Sequence, residues 1–321
     1  MSLAEFSLID RIRARTTARA GVVLGIGDDA ALLQPAAGMQ LVVTADTLNS
    51  GVHFPAETPP ADIGWKTLAV NLSDLASMGA RPTWCTLALS LPDASAGWID
   101  AFADGFFALA DTHDIVLIGG DTTRGPLSLS VTAMGQVAPG TALRRDAAQV
   151  GDDIWVSGTL GDAAVALRAW RGGTLDVTRI AEDAGVEFLR QRLARPVPRV
   201  ALGRALVGIA HAAIDVSDGL LADLGHLCAR SNAGARIDPA RLPLSASARA
   251  RVGETRAREA ALRGGDDYEL CFTAPEGRRE AITALSQRLD VPLTRIGEIT
   301  QGHGVDAAGH DRDRPGYEHF L

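Results

Sequence analysis

Two rhythms of apolar and polar positions alternate from the N-terminus to about residue 135. Short, dense apolar runs, "LVVTAD", "TWCTLALSL", "IVLIGGD" and "LSLSVTAMGQV", have the length and composition of strands. Between them, "ADIGWKTLAVNLSDLASMGA" and "WIDAFADGFFALADTHD" repeat apolar residues at helical spacing. Strands interleaved with helices predict an α/β fold. Around "APGTALRRDAAQVGDD", residues 138–153, Pro, Gly and charge replace periodicity, as at a domain boundary. A second α/β pattern then opens with the strand "DIWVSG" and the helix "GDAAVALRAWRGG". It continues through "HAAIDVSDGLLADLGHLCARSN", a strand turning into a helix closed near Asn232 and Gly234. The strand "YELCFTA", the helix "RREAITALSQRL" and a last strand "TRIGEIT" complete it. The expected domains are residues 1–138 and 148–321.

Composition fits this picture, since 321 residues with 46% apolar and 22% charged residues can bury two ordinary cores. The balance of 31 basic against 39 acidic residues, with no basic cluster, argues against a nucleic-acid partner. All the basic residues are arginine except Lys66. Cys85, Cys228 and Cys271 lie far apart with no Cys-x-x-Cys, so neither a disulfide framework nor a zinc site is expected, and a reducing cytoplasm fits. No apolar stretch reaches signal-peptide or membrane-span length, so neither export by that route nor membrane insertion is expected.

Candidate chemistry begins at "VVLGIGDDAALL", residues 22–33, which matches Gly-x-Gly-x-x-Ala with Asp46 at about the distance of a ribose-binding carboxylate. A dinucleotide turn must open a helix, yet Pro35 and Gly38 interrupt the chain and the next element is a strand. Asp28 and Asp29 would also repel a pyrophosphate. An oxidoreductase is therefore disfavoured. Other strand-like runs end in carboxylates at Asp46, Asp121, Asp215 and Asp218. One such Asp is ordinarily a cap or a turn-former, but several together are costly unless cations neutralise them. In "KTLAVNLSDLASMGA", Thr67, Asn71 and Asp74 share one helix face opposite Leu68, Leu72 and Leu75. The ligands are hard oxygens without His or Cys at metal spacing, which points to Mg²⁺, or Mn²⁺ in its place, shared with nucleotide phosphates. No Walker A motif is present, leaving metals, the Gly119 and Gly120 amides and arginine to hold phosphate. Asp152 and Asp153, in "GDDIWVSG", read as turn residues.

Taken together, "EFSLIDRI", "GIGDDAALL", "TADTLNSGVHF", "NLSDLASMGARP", "LIGGDTTRGPLSLSVTAMG", "AIDVSDGLLADLGH", "GGDDYELCF" and "GYEHF" resemble the bacterial thiamine-monophosphate kinase family over nearly the whole chain. The resemblance implies the two-domain fold of an ATP-binding superfamily shared with aminoimidazole ribonucleotide synthetase and selenophosphate synthetase. In that fold an N-terminal mixed sheet with helices binds ATP and Mg²⁺ and dimerises into a β-barrel, and a C-terminal α/β domain completes the site. It implies ATP-dependent phosphorylation of thiamine monophosphate to thiamine diphosphate in a homodimer. By the same resemblance the magnesium ligands are Asp29, Thr44, Asp46, Asp74, Asp121, Asp215 and Asp218, with Asp28 a lesser candidate. The ATP contacts are Gly120, Asp121, Arg145 and Ser217, and the substrate contacts are His53, Asp266 and Tyr317. Ala45 stands where the family often carries a hydroxyl residue, and Asp266 where glutamate is common.

The acceptor in such a reaction is a phosphate oxygen, already ionised, so no general base is expected; metals and arginine neutralise the charge of the transition state. Selenophosphate synthetase resembles chains with a reactive Cys or selenocysteine and a Lys near the start, and neither occurs here before Lys66. "GGDDYEL" and "GYEHF" favour thiamine phosphate over the substrate of aminoimidazole ribonucleotide synthetase. The rival of another class is a non-catalytic nucleotide- or metal-binding regulator on the same scaffold.

Overall fold

The computed structural model describes residues 5–16, 19–93, 95–308 and 316. The chain divides into two compact units, Met1–Leu75 with Ala80–Gly140, and Ala76–Gly79 with Thr141–Leu321.

The first unit runs α1 (Glu5–Arg13), β1 (Val22–Leu24), β2 (Leu32–Leu33), β3 (Gln40–Asn49), α2 (Pro60–Ser77), β4 (Arg81–Leu91), α3 (Ala96–His113), β5 (Val116–Arg124) and β6 (Ser128–Val137). Its mixed sheet has the order β3-β6-β4-β5, antiparallel except for the β4–β5 pair. The long apolar runs become these strands because every second side chain can be buried. Leu48, Val131, Leu87 and Leu89 join Leu68 and Leu72 of α2 and Phe102 and Phe106 of α3 in the core.

On the other face, the antiparallel β1–β2 hairpin packs Val22 and Leu33 against Trp84, Val116, Ile118 and Met134. Val43 lies in the same cross-strand row as Met134 and Trp84, yet at the β3 edge it is 56% exposed. The "GIGDD" turn thus joins two antiparallel strands and no helix follows it, unlike a dinucleotide-binding turn.

The second unit contains β7 (Asp153–Ser157), α4 (Asp162–Arg171), α5 (Ala184–Ala194), α6 (Val200–Leu206), β8 (Ala212–Val216), α7 (Leu220–Ser231), β9 (Gly234–Ile237), α8 (Ala246–Val252), α9 (Glu254–Arg263), β10 (Glu269–Ala274), α10 (Arg279–Leu289), β11 (Leu293–Thr300) and β12 (Gly304–Ala307). Its six strands have the order β12-β9-β11-β7-β10-β8. The strands β7, β8 and β10 are buried at every position, as expected of strands covered on both faces. Ile154, Val156, Ile214, Leu224 and Leu262 belong to one continuous core. Asn232 closes α7 in the left-handed conformation (φ 50°), where the sequence places its end.

Asp152 and Asp153 do more than form a turn. Asp153 opens β7 as a buried carboxylate held by Arg279, at 2.5 and 2.9 Å, and by Arg295, while Asp152 faces His211 Nδ1 at 2.9 Å. The three cysteines are buried and unpaired.

Helices α2 and α3 meet backbone to backbone. A Cβ on Gly64 would lie 2.0 Å from the Phe102 carbonyl oxygen, and one on Gly105 would lie 1.8 Å from that of Ala61. Only glycine allows this approach, which holds α2 in place above the sheet. Gly105→Ala is expected to destabilise the protein by about 3 kcal/mol through overpacking, as read by guanidinium denaturation.

Candidate active site

In the first unit the polar stripe of α2 faces inward, toward β3. Thr67 and Asn71 are fully buried, Thr67 Oγ1 donating to the Ile63 carbonyl (2.7 Å) and Asn71 Nδ2 to the Thr67 carbonyl (3.1 Å). Asn71 Oδ1 accepts the Asp46 N–H at 3.1 Å, and Thr44 Oγ1 donates to Asp74 Oδ2. The structure therefore brings Thr44, Asp46 and Asp74 together, with Asn71 as the tie between helix and strand. Asp29 sits exposed in the β1–β2 turn, its N–H donated to the side-chain Oδ1 of the preceding Asp28 at 2.8 Å.

Asp121 lies elsewhere. Asp46 pairs with Val131, Val131 with Leu87, and Leu87 with Gly120, which puts Asp46 and Asp121 at nearly the same level on opposite edge strands. Three strand spacings separate them, roughly 14 Å. Gly120 and Asp121 border a cavity of about 90 Å³ lined by Ile9, Ile12, Ile26, Leu87 and Leu117, an apolar recess beside a polar strand end. His53 accepts the Asn49 N–H on Nδ1 at 2.9 Å, which places its proton on Nε2. Beneath that loop the buried Lys66 donates from Nζ to the His53 carbonyl at 3.0 Å.

In the second unit Asp215 lies on β8 opposite Leu270, and the chain then turns through Ser217 and Asp218 into α7. One buried carboxylate organises this turn. Asp223 Oδ2 accepts the N–H groups of Ser217, Asp218 and Gly219 at 3.0, 3.1 and 3.1 Å. Burial, together with the charge of Asp218, raises the Asp223 pKa to about 7, against the pull of those N–H groups.

The segment bearing Asp266 is bonded directly to the same turn. The Asp266 N–H donates to the Ser217 carbonyl and the Tyr268 N–H to the Val216 carbonyl, both at 2.8 Å. A Cβ on Gly265 would lie 2.4 Å from the Ser217 carbonyl oxygen, so the two backbones touch there. Tyr268 Oη donates to Asp266 Oδ1 at 3.1 Å. Arg144 is engaged by Asp146 at 2.8 Å, whereas the guanidinium of Arg145 has no partner among the described residues and its carbonyl accepts from Ser231 Oγ at 2.7 Å. Tyr317 lies outside the described residues. Its neighbour Gly316 is placed against Asp218, where a Cβ would meet the Asp218 carbonyl oxygen at 2.5 Å.

Among the described residues no three His, Cys, Asp or Glu side chains converge to enclose an ion within one chain. The candidate ligands are carboxylates and a hydroxyl, hard oxygens of the kind Mg²⁺ takes alongside water and phosphate.

Comparisons with known proteins identify the family of the chain. Residues 27–137 match the AIR synthase related protein N-terminal domain, and residues 149–309 match its C-terminal domain. The thiamine-monophosphate kinase of Escherichia coli K12 is 46% identical over 100% of this chain and 99% of its own. The chain belongs to the thiamine-monophosphate kinase family. The crystal structure of the thiamine-monophosphate kinase from Stenotrophomonas maltophilia K279a is 69% identical, with a TM-score of 0.91 over 97% of this chain and 98% of that one. The structure of AaThiL complexed with AMPPCP and TMP is 32% identical, with a TM-score of 0.80 over 100% and 99%.

In this thiamine-monophosphate kinase family member, Ala45 is preceded by Thr44, whose hydroxyl is oriented by Asp74. No described helix is long and apolar enough to cross a membrane. Asp223 escaped the sequence reading although it carries a signal: an acid four residues after the Gly219 cap can fold back on the preceding N–H groups, as a capping-box acid does. Removing the acceptor from three converging donors is costly. Asp223→Ala is expected to lose about 3 kcal/mol of stability in guanidinium denaturation, and Asp223→Asn, which keeps an acceptor oxygen, about half of that.

Proposed function

We propose that the protein transfers the γ-phosphoryl group of ATP directly and in line to the phosphate of thiamine monophosphate, giving thiamine diphosphate and ADP. The observation that carries this is the backbone pairing of two loops in the second unit. The turn with the proposed nucleotide and metal contacts, Asp215, Ser217 and Asp218, is hydrogen-bonded to the segment with the proposed substrate contact, Asp266. The relative's complex with AMPPCP and TMP supports the pairing of these two ligand types in one protein.

An oxygen of the acceptor phosphate attacks the γ-phosphorus while the bond to the β,γ-bridging oxygen breaks and ADP departs. The residues themselves need move no proton, because the acceptor oxygen is already ionised. Asp29, Thr44, Asp46, Asp74, Asp121, Asp215 and Asp218 would hold magnesium, which when bound neutralises phosphate charge. Gly120 and Ser217 would contact ATP, with Arg145 forking onto phosphate oxygens. His53, Asp266 and Tyr317 would receive thiamine phosphate. His53 presents Nε2–H as a donor, and Asp266 takes the place of the family's longer glutamate with its carboxylate steadied by Tyr268. The reaction fits a cytoplasmic setting, where ATP and Mg²⁺ are at hand.

Incubation with ATP, MgCl₂ and thiamine monophosphate, followed by chromatography of the oxidised fluorescent products, is expected to yield thiamine diphosphate stoichiometric with ADP. EDTA is expected to abolish it. ATP binding without turnover would instead support a regulator. Asp46→Asn and Asp121→Asn are each expected to fold normally and lose activity by about 100-fold or more.

A homodimer is part of the same proposal. Among the described residues the first unit's sheet has one face uncovered at β3 and open edges at β3 and β5, and it carries Asp46 and Asp121 on those separate edges. Pairing of two such sheets would bury Val43 and let one copy's ligands serve the other's nucleotide. Val43→Asp is expected to give a monomer by light scattering with at least about a tenfold loss of activity.

A further inference from the structure

Within "GGDDY", Asp267 is the residue that cannot touch a substrate, being fully buried (0% exposed). Its side chain enters the interior of the second unit, where Oδ2 accepts the Gly161 N–H at the start of α4 at 2.7 Å. Among the described residues its Oδ1 has no hydrogen-bond partner. Arg192 Nη2 reaches both the Asp267 carbonyl (3.2 Å) and the Thr159 carbonyl (3.1 Å), so the segment is tied at two points to the loop between β7 and α4.

The residues on either side are strained. Asp266 (φ 69°) and Tyr268 (φ 52°) both occupy the left-handed region, which is unfavourable for residues with a Cβ and persists only where surroundings enforce it. Their N–H groups are drawn toward the Ser217 and Val216 carbonyls on one side. Asp267 anchors the opposite side. Without that carboxylate the segment loses its bond to the Gly161 N–H and keeps on that side only the Arg192 tie to its own carbonyl, so its two strained residues are freer to relax into ordinary backbone.

We propose that Asp267 is a positioning residue of the acceptor site, its buried carboxyl holding Asp266 and Tyr268 in the left-handed backbone that sets the Asp266 carboxylate against the Tyr268 hydroxyl and toward thiamine phosphate. The inference deepens the substrate role proposed for Asp266 and rests on it. Burial pushes the Asp267 pKa well up while Arg192 and the Gly161 N–H oppose that rise, which agrees with an anchor made by an acceptor oxygen rather than by a solvated charge. The anchor also explains why two adjacent aspartates stand here: one faces the ligand and its neighbour faces the interior.

Steady-state kinetics of Asp267→Ala, Asp267→Asn and Asp266→Asn, each with a thermal melt, test the proposal on the full-length protein. Asp267→Ala is expected to raise KM for thiamine monophosphate at least about tenfold while KM for ATP stays within about twofold, because misplacement of one binding group penalises its own ligand. Asp267→Asn keeps an oxygen for the Gly161 N–H and is expected to stay within about threefold of the parent in both constants. Should the Ala variant not fold, Asp267→Ser, which leaves a hydroxyl in the same space, takes its place; failure of both would make Asp267 a folding residue and overturn the proposal. Equal changes in the two KM values, or no change, would overturn it as well. Asp266→Asn separates the two ideas: if it leaves KM for thiamine monophosphate unaltered, the substrate role of Asp266 fails and the inference with it. If it raises that KM and Asp267→Ala does not, the inference alone falls.

Discussion

Taking a carboxylate out of water costs several kcal/mol unless N–H groups or cations meet it, and the second unit meets this demand repeatedly beneath its strand ends. Glu269 is held by both arms of Arg199 at 2.6 Å, by Arg192 at 3.1 Å and by Ser157 at 2.5 Å. Asp162 accepts from Ser245 at 2.5 Å and from Thr159. Asp223 gathers three backbone N–H groups and Asp267 gathers one. Asp223 and Asp267 fasten the loops that carry Ser217, Asp218 and Asp266, while Glu269 and Asp162 tie together the elements behind them, so a polar interior supports a polar rim. A hydrophobic interior could not grip the backbone of those loops from below.

The first unit solves its positioning problem by other means. Its helix α2 is seated by glycine contact with α3 and by hydrogen bonds from its buried stripe to β3. Rigidity there comes from close approach of backbones, and polar precision from Asn71, whose amide both donates along the helix and accepts from the strand. The candidate ligands that result are spread along two sheet edges rather than gathered at a point. Two strands, β6 and β4, stand between those edges and keep their carboxylates from repelling each other.

Much of the architecture was legible because burial is periodic. Burial alternates along β3 and most of β6, β4 and β5 carry continuous apolar runs, α2 and α3 have helical spacing, and the close of α7 at Asn232 has a recognisable chemical signature. The short helices α5, α6, α8 and α9 were not read, since they are rich in Ala and Arg and long arginine stems blur the apolar stripe. The candidate ligands stood out as acids at strand ends. Their supports did not: Asp267 differs from Asp266 by one position and by facing inward, and only tertiary packing separates them. Asp152 and Asp153 misled for the same reason, since a turn acid and a buried ion-pair acid look alike until Arg279, Arg295 and His211 arrive from distant parts of the chain.

Lys66 sits buried under the His53 loop, and every other basic side chain is a guanidinium. The folded protein therefore offers no accessible side-chain amine. Acylating reagents, aldehydes and amine-directed crosslinkers find no lysine on its surface, and its positive charge, carried by guanidinium groups, does not bleed away in alkali as a lysine coat would. To covalent amine chemistry this molecule presents a nearly silent exterior while remaining densely charged.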